Sequence, residues 1–203
     1  MPSPVTTHCS RYSAGPFGAE HPKTLKLRSD RAQALASLGR HAECEAECAA
    51  VAQIAAQGTG PDAAHIATTA RNGQIYALTA LGRHPEAEAL ARQALAIHRV
   101  PDRFALALRL GLARSLTSQD RHEDALAEAA RADELLRSLP QEHGRAETGA
   151  VELAAATALL GLGRGTEARP LAAAAHDACL AAFGPEHRRT TEAQTLLDRI
   201  GAA

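Results

Sequence analysis

Three residues in the first quarter of the chain have types and spacing that could bind a metal ion. His41, Cys44 and Cys48 lie at positions i, i+3 and i+7, so on a helix they would share one face. Imidazole and thiolate groups both suit Zn²⁺. However, the paired-cysteine spacings of zinc sites are missing, and alanines replace both cysteines at the corresponding positions further along the chain. We therefore interpret the cysteines as small packing residues and expect neither a metal site nor a cofactor.

The chain also carries none of the common catalytic motifs. Its ten histidines form no group that predicts a triad, and the sequence contains no Gly-x-Ser-x-Gly elbow, no phosphate-binding loop ending in Gly-Lys-Ser/Thr and no His-Glu-x-x-His helix. The glycines at 161, 163 and 165 end a helical pattern instead of opening one after a strand. We expect no catalytic residues and no enzymatic activity.

A turn signal that returns four times organises the rest of the chain. The steps between its Gly or Asp positions are 43, 38 and 43 residues, and apolar residues at helical spacing lie on both sides of each turn. A period of this length is typical of stacked helical hairpins, in which no single unit can bury its own apolar face. The four signals are Leu38-Gly39-Arg40-His41-Ala42-Glu43, Leu81-Gly82-Arg83-His84-Pro85-Glu86, Gln119-Asp120-Arg121-His122-Glu123-Asp124 and Leu162-Gly163-Arg164-Gly165-Thr166-Glu167.

The composition favours helices and a binding surface. Hydrophobic residues make up 45% of the 203 residues, but aromatic residues make up only 2% and tryptophan is absent, so the core must consist mainly of Ala and Leu, two strong helix formers. The net charge of −1 comes from 22 Lys and Arg against 23 Asp and Glu, without a basic stripe, which argues against nucleic-acid binding. The longest apolar stretch, 153–162, is too short to span a bilayer. Without a secretory signal pattern, the sequence predicts a cytoplasmic protein.

The chain is predicted to comprise a disordered arm, four repeats and a terminal helix. The first segment is rich in Pro, Ser and Thr and has no apolar period, and each later boundary contains Pro or Gly. The last helix has no partner after it and is interpreted as a cap. The predicted segments are the arm at 1–16, the solenoid at 17–203, its repeats at about 17–57, 58–100, 101–139 and 140–182, and the capping helix at 183–203.

This pattern resembles the tetratricopeptide repeat. Small residues recur where paired helices meet, a leucine recurs three residues later, and Phe17-Gly18-Ala19-Glu20-His21-Pro22 has a near copy in Phe183-Gly184-Pro185-Glu186-His187. The longer period and this copy are similar to the kinesin-light-chain type of the repeat found in bacterial regulatory proteins. The resemblance implies an all-α, right-handed solenoid. The recurring residues are Ala32, Ile75, Ala113 and Ala156, followed by Leu35, Leu78, Leu116 and Leu159.

In this family the first helix of each pair lines a concave groove, and the resemblance therefore implies a set of groove residues. Asn72 matches an asparagine that such repeats use to hold the backbone of an extended peptide. We expect Gln33 and Tyr76 to assist it, Lys26 or Arg114 to hold an acidic group, and Leu153 to seat an apolar side chain. The groove residues implied are Lys26, Ser29, Gln33, Thr69, Asn72, Tyr76, Leu110, Arg114, Leu153 and Thr157.

The resemblance implies a scaffold that binds a peptide or protein segment, with no nucleic-acid or membrane partner. Two alternatives stay open. The first is a sensor or regulatory partner of a bacterial transcriptional or signalling protein, whose shape changes when a ligand binds. The second is an accessory protein of a biosynthetic pathway. Self-association through an end unit also stays open.

Overall fold

The computed structural model describes residues 18–59, 61–140 and 145–202, which form nine α-helices and one short 3₁₀ segment, without β-strands. The arm expected at 1–16 lies outside the described residues. The helices are α1 (Pro22–Ser37), α2 (His41–Gln57), α3 (Pro61–Ala80), α4 (His84–Ile97), α5 (Arg103–Thr117), α6 (His122–Ser138), α7 (Ala150–Gly161), α8 (Gly165–Phe183) and α9 (Arg188–Ala202), and the 3₁₀ segment is Arg145–Glu147.

The helices pack as four hairpins and one further helix. Each helix contacts the next along the chain, and α1, α3, α5, α7 and α9 also contact one another in succession. These five helices form an inner layer, while α2, α4, α6 and α8 form an outer layer. The all-α solenoid predicted from the repeats is confirmed. No helix within the described ranges is both long and apolar enough to cross a bilayer.

The turns inside the hairpins share one backbone design. Gly39, Gly82 and Gly163 have φ values of 72°, 73° and 74°, and Asp120 takes the same left-handed region at 57°. The N–H after each of these residues donates to the carbonyl of the recurring leucine at the end of the preceding helix, as from Arg40 to Leu35 at 2.9 Å. This is the bond pattern of a Schellman C-cap, so the recurring sequence signal corresponds to a recurring helix stop.

The core consists of small residues placed where the inner and outer helices meet. Ala32, Ala87, Ala125 and Ala168 have no exposed surface, and larger side chains such as Leu112 fill the space between hairpins. Ala side chains let neighbouring helix backbones approach closely, and burial of their apolar surface stabilises the stack. The inner layer is thereby held in one arrangement, which positions the side chains on its open face.

Candidate functional site

Three adjoining hollows follow the inner helices. The N-terminal hollow, of about 600 Å³, lies between α1, α3 and α5. The central hollow, of about 910 Å³, runs from α1 past α3 and α5 to the start of α9. The C-terminal hollow, of about 420 Å³, lies between α5, α7 and α9. Asn72 belongs to the walls of the first two and Arg114 to those of the last two. The three hollows therefore form one continuous groove.

Every residue predicted from the resemblance lies in the wall of this groove. The N-terminal half of the set lines the first two hollows, and the remainder lines the central or the C-terminal hollow. That these residues bind a ligand stays a prediction. The residues are Lys26, Ser29, Gln33, Thr69 and Asn72 in the N-terminal hollow, Tyr76 in the central hollow, Leu110 and Arg114 in the central and C-terminal hollows, and Leu153 and Thr157 in the C-terminal hollow.

Polar groups in the N-terminal hollow are available to a ligand. The side chains of Lys26, Gln33 and Asn72 make no hydrogen bond or ion pair with any residue in the described ranges. Lys26 and Gln33 are exposed, and Asn72 is half-buried. An amide side chain offers both donors and an acceptor, so Asn72 and Gln33 have the groups needed to pair with a peptide bond.

The Ser and Thr hydroxyl groups in the predicted set already donate hydrogen bonds. Ser29 donates to the carbonyl of Leu25 at 3.1 Å, Thr69 to that of His65 at 3.0 Å, and Thr157 to that of Leu153 at 2.6 Å. Each bond returns to the residue four positions earlier in the same helix, a common use of Ser and Thr inside helices. These hydroxyls therefore already donate within their own helices. The amide and charged side chains are the stronger candidates for ligand contacts.

Two arginines flank Tyr76 in the central hollow. The guanidinium carbon of Arg114 lies 5.8 Å from the ring centroid of Tyr76, and that of Arg188 lies 5.1 Å from it. Desolvation within the groove, and then repulsion from Arg188, lower the pKa of Arg114. The Arg114 residue nevertheless keeps an exposed surface, and arginine stays charged at neutral pH. The centre of the groove is therefore cationic.

An ion pair joins α9 to the segment before α7. A guanidinium nitrogen of Arg189 lies 2.8 Å from a carboxylate oxygen of Glu147, and the two side chains are only 16% and 18% exposed. Arg189 also donates to the carbonyl of Ala146 at 2.6 Å. Burial raises the pKa of Glu147, although Arg189 and Arg114 both act to lower it. This contact fixes the start of α9 against the groove.

The C-terminal hollow has a more apolar wall. Leu110 is only 5% exposed and packs with Val151 and Ala132 in the core, so it closes the wall without offering much free surface. Leu153 is half-buried and packs beside Leu196 of α9. A ligand here would meet aliphatic surface beside polar groups at the rim.

Sequence reasoning missed the part of the groove that α9 and the 3₁₀ segment supply. The sequence predicts a cap that contains Arg188 and Arg189, and a fourth repeat that contains Glu147 without a role in the groove. A signal for α9 did exist, because the copy at 183–187 resembles the segment that precedes α1. In the structure, His187 accepts a hydrogen bond from the N–H of Arg189 at 3.3 Å, as His21 does from Lys23 at 3.2 Å. The copied segment thus starts an inner helix at each end of the solenoid.

The two cysteines and the histidine whose spacing would suit a metal ion lie in packing positions. Cys44 and Cys48 are 1% and 3% exposed, and burial, followed by the effect of Cys44, raises the pKa of Cys48 to about 12. Burial also raises the pKa of Cys44, so both thiols stay protonated at neutral pH. The Nδ1 atom of His41 is buried and has no hydrogen-bond partner among the described residues. Within 18–59, 61–140 and 145–202, no group of three or more His, Cys, Asp or Glu side chains is placed to hold a metal ion.

Comparison with known proteins agrees with the geometry of the hairpins. Residues 76–100 match the model of the tetratricopeptide repeat family. They cover the end of α3, the turn at Gly82 and the whole of α4. No curated protein and no solved structure matches the chain. The match supports a tetratricopeptide repeat protein, and such repeats in general serve protein–protein interactions.

Proposed function

We propose that this protein holds an extended segment of a partner protein in its groove, with the segment running along the inner helices. The single observation that carries the proposal is the position of Asn72. Its amide lies in the wall shared by the N-terminal and central hollows, half-buried and without a hydrogen-bond partner in the described chain. A peptide passing this point gains two hydrogen bonds to the amide without displacing any bond within the protein.

The walls on either side of Asn72 support the same function. Lys26 and Gln33 offer exposed donors toward the N-terminal end, and Arg114 offers a charge toward the centre. Leu153 adds half-buried aliphatic surface toward the C-terminal end. Spaced polar groups beside apolar surface suit an extended chain, whose main chain supplies hydrogen bonds and whose side chains reach separate pockets.

The kinesin-light-chain-like type of the repeat belongs to the same proposal. Its support is the 43-residue step between the turns at Gly39 and Gly82, together with the position of Asn72 in the groove. A cytoplasmic location and a non-catalytic role stay predictions from the sequence.

The test is a selection from a library of random twelve-residue peptides with free C-termini on immobilised full-length protein. Enriched peptides are then synthesised with a fluorophore, and their binding is measured by fluorescence anisotropy. We expect Asn72→Ala to weaken binding about tenfold, the effect of losing one or two good hydrogen bonds. Gln53→Ala, on the exposed face of the outer helix α2, is the matched control and should change affinity less than about twofold.

Two results would contradict the proposal. One is a library from which wild-type protein enriches no peptide. The other is a set of enriched peptides that bind the Asn72→Ala variant as tightly as the wild type, because binding would then occur away from the groove.

A further inference from the structure

The first helix exposes apolar side chains at positions that are buried in the three later hairpins. Leu27 is 69% exposed, and Ala34, about two turns further along α1, is exposed as well. Their counterparts, at the same distances before the turns at Gly82, Asp120 and Gly163, are at most 5% exposed. The counterparts of Leu27 are Ala70, Leu108 and Val151, and those of Ala34 are Ala77, Ser115 and Ala158.

These counterparts are buried because the outer helix of the preceding hairpin covers them. Ala70 packs in one cluster with Val51 of α2, and Leu108 packs in another with Ala91 of α4. No helix precedes α1 in the part of the chain that the structure describes, so Leu27 has no such cover there. The end of a stacked array normally carries a polar outer face, and α1 departs from that rule.

The opposite end of the solenoid follows the rule. α9 packs Ala193, Leu196 and Ile200 into the core, while its exposed residues between 191 and 199 are all polar or charged. A second copy therefore offers no apolar surface on α9 that could cover α1, which argues against head-to-tail stacking into an open filament. Another copy can instead cover the apolar face of α1 with its own α1.

The exposed stripe on α1 matches an antiparallel copy of itself. Leu27, Arg31, Ala34 and Leu38 follow at steps of four, three and four residues, so they lie along one face of the helix. The steps are the same in both directions. In an antiparallel pair, Leu27 of one copy therefore meets Leu38 of the other, which is 71% exposed, and Arg31 meets the small Ala34 while it stays beside its own Glu47.

The charges at the two ends of the stripe are complementary. Lys23 is exposed in the first turn of α1, and Glu43 is 52% exposed just beyond the turn that ends α1. Antiparallel packing brings the Lys23 end of each copy to the Glu43 end of the other, twice in each pair. Such charges at the rim of an interface favour one orientation over the reverse.

We infer that two copies of this chain form a closed dimer in which α1 packs antiparallel against α1 of the other copy. The 16 residues of α1 give a contact about 24 Å long. A single helix pair of this length buries an area at the low end of dimer interfaces, and we expect a dissociation constant on the order of 10 µM. Leu27 lies outside the walls of the three hollows, so the dimer leaves two grooves open in one particle.

Sedimentation equilibrium of the full-length protein, from about 1 to 200 µM, tests the dimer. We expect the average mass to rise from that of one chain toward that of two. Leu27→Lys should weaken dimerisation at least about twentyfold, because each dimer then buries two charges against leucine. Ile97→Lys is the matched control, since Ile97 is 60% exposed at the end of α4, and it should change the dissociation constant less than about twofold. Thermal unfolding by circular dichroism checks that both variants are folded.

Disulfide formation tests the orientation. With Cys9→Ser as the background, the Leu27→Cys and Leu38→Cys variants are oxidised separately and as a mixture. The antiparallel register places residue 27 beside residue 38 of the other copy, and about 16 Å along the helix from residue 27 of that copy. Rapid cross-linking should therefore occur only in the mixture. Rapid cross-linking of either variant alone would overturn the register.

The remaining outcomes separate this inference from the proposed function. A wild-type protein that sediments as one chain at every concentration would overturn the dimer, as would a dimer that Leu27→Lys does not weaken. If a monomeric wild type becomes dimeric when Val5 and Tyr12 are both replaced by Ser, the arm covers α1 in place of a second copy, and the inference fails. Leu27→Lys should bind groove peptides within about twofold of the wild type, so loss of the dimer leaves the groove function standing.

Discussion

The turn at Gly39 and the connection that ends at Gly149 both place a glycine at positive φ, 72° and 70° respectively, but their surroundings differ. A Cβ atom on Gly39 would have no neighbour within 4 Å in the described part of the chain, whereas one on Gly149 would lie 2.5 Å from the sulfur of Cys179 and 2.9 Å from the carbonyl oxygen of Ala175. The first turn belongs to a design repeated inside every hairpin. The second lies between hairpins and presses directly on α8.

This difference separates the turns that recur in every hairpin from the connections that do not recur. The turns within the hairpins are exposed helix stops, each followed by an Arg and an acidic residue that pair at the surface, and such pairs add little stability. The connections between hairpins differ from one another in sequence. The one between α6 and α7 delivers Glu147 to the groove. The connection between α6 and α7 therefore supplies a groove residue that the repeat pattern does not.

The largest expected effect comes from Gly149→Ala. The new methyl group would collide with buried atoms of α8 while the backbone stays at a φ that only glycine adopts freely. We expect a loss of about 3 kcal/mol of unfolding free energy, within the range of overpacked sites. Gly39→Ala is the control and should lose only about 1 kcal/mol, from the backbone alone. Urea unfolding followed by circular dichroism measures both. Equal losses would show that α8 yields to the methyl group and that the two glycines are equivalent.

The connection between α4 and α5 provides a second test. Asp102 caps α5 by accepting hydrogen bonds from the N–H groups of Phe104 at 2.9 Å and Ala105 at 3.1 Å, and it contacts His98 at 2.8 Å. We expect Asp102→Ala to lose about 1–2 kcal/mol at pH 7. The hairpin-turn pair Arg40–Glu43 is the contrast, since Glu43→Gln should change unfolding free energy far less. A loss for Asp102→Ala no larger than that of Glu43→Gln would contradict the distinction.

The carboxylate of Asp102 makes the stability loss of Asp102→Ala depend on pH. Burial acts to raise the pKa of Asp102, but hydrogen bonds from His98 and from the two backbone N–H groups outweigh it, so the pKa lies below its ordinary value of 3.8. A lowered folded-state pKa contributes stability above the unfolded-state value, and this contribution is lost as the pH falls through the folded-state value. The difference in unfolding free energy between the wild type and Asp102→Ala should therefore become smaller below pH 3.8. A difference that widens on acidification would contradict the cap.

Most of the fold could be predicted because it depends on residues that recur. The left-handed residue of each turn and the leucine that accepts its hydrogen bond recur at every hairpin, so four helix stops can be located by eye. Alanine at 87, 125 and 168 marks where the paired helices touch. The four repeats can be compared with one another, so the recurring turn and core positions are found within this single sequence.

Only the part of the groove that the repeated inner helices form could be predicted. Residues such as Asn72 and Arg114 lie on inner helices whose register is fixed by the recurring core. Glu147 belongs to a connection that the repeated turn signals do not describe, and the approach of Arg188 to Tyr76 depends on how α9 packs on α7. Helical periodicity shows that α9 exists, but the groups it presents to the groove follow from packing between distant parts of the chain.

A smaller effect is expected where one hairpin turn departs from the others. Asp120 takes the left-handed conformation that glycine takes elsewhere, at a cost near 1 kcal/mol for most side chains. Asp120→Gly removes that strain but adds freedom to the unfolded chain, and the contact between Asp120 and His122, 3.7 Å long at a fully accessible carboxylate, contributes little. We expect a net gain of about 0.5 kcal/mol, measured as a rise of about 1–2 °C in Tm. A lower Tm would show that the side chain of Asp120 stabilises this turn.

The smallest effect on stability should come from the groove itself. Asn72 has no hydrogen-bond partner in the described chain, so Asn72→Ala should change the unfolding free energy by less than about 0.5 kcal/mol while it weakens peptide binding. Gly149→Ala should show the reverse, with weaker folding but unchanged affinity at temperatures where the variant stays folded. If Asn72→Ala loses more than about 1 kcal/mol, its amide serves the fold. The strongest reason to regard Asn72 as a ligand group would then be lost, because a side chain that the solenoid needs is explained without a partner.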